Sequence, residues 1–153
     1  MRKQSITLVL AIVSLMAFMP KVQAQWSEEK LQGMYQNFLE GKGLEGIIDG
    51  DGDVQFSYNE HTFFFEVNES DTEFFRLVLP NIWPIESISE GLEAVQACDE
   101  INRSMKCTKA YITNDNVWIA VEFFLDQPND FKAVFDRSIE AIEDGVKKFV
   151  DKM

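Results

Sequence analysis

The sequence predicts an α+β fold in two layers, an antiparallel five-stranded sheet with helices on one face, in the order α-β-β-β-α-β-β-α. Two observations carry this. Apolar residues recur at helical spacing in three segments and alternate with polar residues in the stretches between them. The alternating stretches fall into a group of three and a group of two, each group close enough in sequence to form hairpins.

The first helix spans Trp26 to Lys42. Ser27 is its N-cap, and Glu28 and Glu29 place negative charge in the first turn. Leu31, Met34, Tyr35 and Phe38 share its apolar face, and Gly41 and Gly43 stop it. The period then shortens to two. Val54, Phe56 and Tyr58 alternate with Gln55, Ser57 and Asn59, and Asn59-Glu60 turns the chain into His61–Val67. Phe63, Phe65 and Val67 lie on one side of that second strand. A third strand covers Phe74 to Leu79 and ends at Pro80. Ser87 or Ser89 caps a helix that reaches Met105, with Leu92, Val95, Cys98 and Ile101 as its apolar stripe. Strands Cys107–Thr113 and Val117–Leu125 follow, joined by Asn114-Asp115-Asn116, residues that tolerate left-handed backbone. Asn129 or Asp130 caps a long last helix whose buried face is Phe131, Phe135, Ile139, Ile142, Val146 and Phe149.

Residues 1–24 read as an export signal and not as part of this domain. Arg2 and Lys3 give a basic start, Ile6 to Met19 an apolar run, and Val22-Gln23-Ala24 a small-residue cleavage pattern. The run is shorter than the about 20 apolar residues that span a bilayer. Cleavage would leave Gln25 at the N-terminus of a single domain, residues 25–153, in the periplasm or outside the cell, with no stable membrane anchor. The leader holds Arg2, Lys3 and Lys21 and no acidic residue, so its removal takes the formal charge from −12 to −15. Such a surface repels phosphate backbones, which argues against nucleic acid as a partner. Cys98 and Cys107 are the two cysteines. In an exported protein they invite a disulfide, but each equally suits a free thiol, since spacing does not establish that the Cβ atoms approach to about 4 Å.

The strand alternation carries a second message. If Val117, Ile119, Val121, Phe123 and Leu125 face the helices, then Trp118, Ala120, Glu122 and Phe124 face away. The same parity turns Phe64 and Tyr111 outward. A sheet covered on one side is expected to be polar on the other. Large aromatics there mark an expected interaction surface of Phe64, Tyr111, Trp118 and Phe124.

Little in the chain points to catalysis. Asp49-Gly50-Asp51-Gly52-Asp53, with Glu60 at the twelfth position, approaches a calcium loop. Val54 occupies the position that requires glycine, and a strand follows where a helix should. His61 is the one histidine, which removes most hydrolase triads and zinc sites. The phosphate-loop pattern G-x-x-x-x-G-K-[ST] does not occur. The expectation is a protein that is not an enzyme and holds no cofactor or metal.

The stretches Gly52–Phe56, Phe74–Trp83, Ala94–Asn102, Lys109-Ala110-Tyr111 and Asn116-Val117-Trp118 resemble the YbjN-like family, which shares the fold of type III secretion chaperones. The resemblance covers Asp51 to Val150. It implies a non-enzymatic, regulatory or chaperone-like protein and a tendency to form a homodimer, and it brings no catalytic residues. The export signal departs from the cytosolic setting of secretion chaperones. The combined expectation is an exported protein that binds a protein partner or a second copy of itself through the apolar sheet face. The alternative is a carrier of a small lipid or aromatic ligand.

Overall fold

The computed structural model describes residues 26–153, so the expected export signal and its cleavage point lie outside the described residues. Three helices, α1 (Glu28–Gly41), α2 (Ile88–Ser104) and α3 (Phe135–Val150), pack against six strands, β1 (Ile47–Ile48), β2 (Val54–Tyr58), β3 (His61–Phe65), β4 (Phe74–Pro84), β5 (Thr108–Thr113) and β6 (Asn116–Phe124). The strands form one antiparallel sheet in the order β1-β2-β3-β4-β6-β5. The expected antiparallel sheet and α+β class are present, but the sheet has six strands and not five. The added strand, β1, is two residues long and pairs with Val54-Gln55 across the Asp49–Asp53 turn. Two residues are too few to display an alternation, which is why the sequence pattern passes over it.

The turns follow their residues. Asn59 and Glu60 have φ of 48° and 66°, and Asn114 and Asp115 have 49° and 56°. Both are two-residue hairpin turns with two left-handed positions, the geometry whose twist matches flanking strands. β4 runs through Pro80 to Pro84, past the expected end. Its ladder with β3 covers Phe64↔Val78 and Phe65↔Leu77, so the later part of β4 is an edge on that side, where proline is tolerated. The register with β6 slips between Leu79 and Trp83, with Asn81 left-handed at φ 55°.

Ser27 caps α1, its Oγ accepting from the Lys30 amide at 3.4 Å, and Ser87 caps α2, accepting from the Glu90 amide at 3.2 Å. The buried stripe of α2 is Ala94, Ala97, Cys98 and Ile101, rotated from the expected one. Leu92 and Val95 are 62% and 54% exposed. Two alanines let the helix lie close to the sheet, and the larger residues are left outside. The long last helix is interrupted. A 3-10 turn covers Pro128–Ala133, Val134 breaks the helix at φ −115° and ψ −6°, and α3 begins at Phe135. Phe131 and Phe135 both reach the core, so the spacing reads as continuous while the backbone does not.

One core joins all three helices to one face of the sheet. A row of register partners crosses every strand on that face: Ile48, Val54, Phe65, Leu77, Val121 and Thr108. Tyr35 stacks on Phe65 at 4.3 Å between centroids, and Phe56, Phe131 and Phe135 surround the pair. Burial raises the Tyr35 phenol far above its ordinary pKa, and the carboxylates of Asp53 and Glu66 add to the effect. Gly145 lets α3 approach β6, since a Cβ there would meet Ile119 side-chain atoms at 3.3 Å.

Candidate interaction surface

The opposite face of the sheet carries none of the three described helices. Its central row of partners is Ile47, Gln55, Phe64, Val78, Ala120 and Lys109, one from each strand. Val78 and Ala120 are buried there. Phe64 stands beside Val78, and Trp118 lies two residues along β6 from Ala120. Tyr111 is the register partner of Trp118, with ring centroids 6.1 Å apart. The Trp118 indole N–H donates to Asn81 Oδ1 at 3.1 Å, so the left-handed Asn81 at the β4 irregularity holds the ring in place.

Next to this apolar area runs a row of charge. Arg76 donates to Glu66, to Glu122 Oε1 at 2.9 Å and to the Tyr111 hydroxyl. Lys109 reaches Glu122 at 3.3 Å, and both cations lie over the Tyr111 ring at 5.6 Å. Burial works against the charge on Arg76, but the bond to Glu66 with the nearby Tyr111 and Glu122 outweighs it and its pKa is raised. The Tyr111 phenol is raised chiefly by burial, and Arg76 partly offsets this. All the acids on this row are partnered, so the row orients side chains and offers no unpaired general acid or base.

The four aromatics expected on this face are all on it, but they do not form one patch. Phe64, Tyr111 and Trp118 are half-buried around Val78 and Ala120. Phe124 is 76% exposed and pairs instead with Phe74, at 5.6 Å, on the far side of the Glu66–Arg76–Glu122 row. The ionic row was missed in the sequence, although the alternation that exposes Glu122 would have exposed its register partner Arg76. Asn81 left no signal, since it acts only through a bulge.

The remaining candidates fall elsewhere. Cys98 and Cys107 are free thiols, one of the two alternatives that the sequence leaves open. Cys98 is buried on α2, where burial pushes its thiol up to about 11, while Cys107 is exposed at φ 60° just ahead of β5. In the Asp49–Asp53 turn, Asp49 Oδ1 accepts from the amides of Asp51 and Asp53 at 2.9 and 3.0 Å, and Asp53 Oδ1 accepts from Val67 at 2.8 Å. Glu60 sits at the far end of β2, on the order of 17 Å along an extended strand. The carboxylates therefore build a turn and do not converge. Among the described residues no three His, Cys, Asp or Glu side chains come together to hold a metal ion. No described helix is long and apolar enough to cross a membrane.

Residues 36–151 match the family model of YbjN, described as "putative bacterial sensory transduction regulator". The chain belongs to the YbjN family. A similar solved structure is that of YbjN from E. coli, titled a "putative transcription regulator", with a TM-score of 0.57 and 13% identity. The alignment covers 74% of this chain and 87% of that one, and at such low identity it speaks for the YbjN fold alone. Among curated protein sequences, none matches this chain.

Proposed function

We propose that this YbjN-family chain is an exported, non-catalytic binding protein of chaperone-like or regulatory type. It engages a protein partner or a second copy of itself through the open sheet face. The observation that carries the reading is the apolar area of Phe64, Val78, Ala120, Trp118 and Tyr111, which lies opposite the three described helices and is bordered by the Glu66–Arg76–Glu122 row. Apolar centres with a polar border are the usual build of protein interfaces, and rigid aromatics bury area at small entropic cost. The acidic balance of the chain favours a protein partner over nucleic acid. Export rests on residues 1–24, and N-terminal sequencing of the protein recovered outside the cytoplasm should begin at Gln25.

The test is sedimentation velocity over a concentration series, comparing the natural protein with Trp118→Ala and Phe64→Ala. Association should weaken at least tenfold in both variants while their far-ultraviolet circular dichroism is unchanged. Equal association in all three proteins would overturn the reading. A lipid or aromatic molecule retained by the natural protein in native mass spectrometry, and lost in Trp118→Ala, would replace it with the carrier alternative.

A further inference from the structure

The two edges of the sheet are treated differently. β1 is only two residues long, and a short edge offers little for another strand to pair with. β5 is six residues long, and a flat edge of that length is a template for strand addition. In an antiparallel ladder, residues alternate between those bonded to the partner strand and those whose N–H and C=O face away. The Glu122 amide donates to the Cys107 carbonyl at 3.0 Å, which sets the phase. Lys109 and Tyr111 therefore bond to β6, while Thr108, Ala110 and Ile112 present their backbone groups outward.

The middle one of these three is occupied. Asn102, in the last turn of α2, donates from Nδ2 to the Ala110 carbonyl at 3.0 Å and accepts from the Ala110 amide through Oδ1 at 2.8 Å. One side-chain amide thus makes the two bonds that a neighbouring strand would make. We infer that Asn102 is a guard that keeps the outer edge of β5 closed to the β5 strand of a second copy of this chain.

A second copy is the occupant for two reasons. A two-fold axis at Ala110 would pair Thr108 with Ile112 and Lys109 with Tyr111 of the other copy. Core-side residues then meet core-side residues, and each Lys109 lies beside a Tyr111 ring as it already does within the chain. Between copies of a chain with formal charge −12, β5 is also a stretch without a carboxylate, its one charge being Lys109. Joining the edges would make a continuous twelve-stranded sheet. The inference is independent of the open-face reading, because it concerns backbone groups at the rim.

The experiment compares Asn102→Ala with the natural residue at position 102, both in the Trp118→Ala background, which silences association through the open face. Two probes are used: sedimentation velocity, and binding of a fluorescent peptide of residues 107–113 with serine at 107. Asn102→Ala should self-associate at least tenfold more strongly and should bind the peptide, while the Asn102 protein does not. Equal association and equal peptide binding in the two proteins would overturn the proposal. If Asn102→Ala does not fold, Asn102→Asp serves in its place. It retains the acceptor for the Ala110 amide and loses the donor to the Ala110 carbonyl, so a smaller rise in both readouts is expected and no rise overturns the proposal. In the otherwise natural protein, association of Asn102→Ala that vanishes on adding Trp118→Ala assigns the contact to the open face, and this too overturns the guard.

Discussion

The two faces of this sheet are made by the same strands and the same alternation, yet they are finished in different ways. On the covered face Phe56, Phe65 and Phe75 meet aromatic rings from α1, the 3-10 turn and α3, Phe63 stacks on Phe56, and all four strand phenylalanines are buried. On the open face Phe64, Tyr111 and Trp118 are half-buried, and polar partners hold two of them: Asn81 for Trp118, Arg76 for Tyr111. The first face gains its stability from area removed from water. The second keeps large rings oriented by polar contacts and leaves them half-exposed, an arrangement that contributes less to stability.

That difference can be broken at several points. Phe65→Ala should cost about 3–5 kcal/mol in urea unfolding, as expected for a fully buried phenylalanine among five other rings. A loss below about 1.5 kcal/mol would mean that the covered face is not the stabilising one. Arg76→Ala should cost about 2 kcal/mol, because Glu66 and Glu122 lose a half-buried partner and face each other. Trp118→Ala should cost only about 1 kcal/mol and yet remove association, which separates binding from stability.

The pH dependence offers a subtler check. Burial raises the pKa of Asp53, and Asp49, Glu66 and Asp51 add to it, against the opposing bond from the Val67 amide. A carboxylate raised on folding binds its proton more readily in the native state. Its contribution to stability is therefore full below the unfolded value near 3.8 and lost as the pH rises through the higher native value. Asp53→Asn keeps an acceptor for Val67 and should flatten this fall in unfolding free energy above pH 4, measured by chemical denaturation at several pH values. A steeper fall would contradict the assignment. The smallest effect is expected at Phe124→Ser, within about 0.5 kcal/mol and without loss of association, since Phe124 lies beyond the ionic row.

Period-two alternation in β2, β3 and β6 is a direct record of which side chains are buried, and it placed Phe64, Tyr111, Trp118 and Phe124 on the open face. The capping serines and the Asn-Glu and Asn-Asp turns were equally legible, because their chemistry is local. What could not be read depends on partners distant in sequence. β1 exists only by pairing with β2, and the buried stripe of α2 is set by how closely its alanines can approach the sheet. The division between the Trp118 area and Phe124 comes from Arg76 and Glu122 meeting across β4 and β6, 46 residues apart. Asn102 closing on Ala110 has the same character, being a contact between a helix end and a strand edge.

The exposed stripe of Ile88, Leu92 and Val95 on α2 is the open face's rival as a binding surface. Hydroxyl-radical footprinting of the associated protein against the dilute protein separates the two most directly. Protection concentrated at Trp118, Tyr111 and Phe64, with Leu92 and Val95 labelled equally in both states, is the predicted result. Protection of Leu92 and Val95 with unchanged labelling of Trp118 would contradict the account and move the working surface to α2.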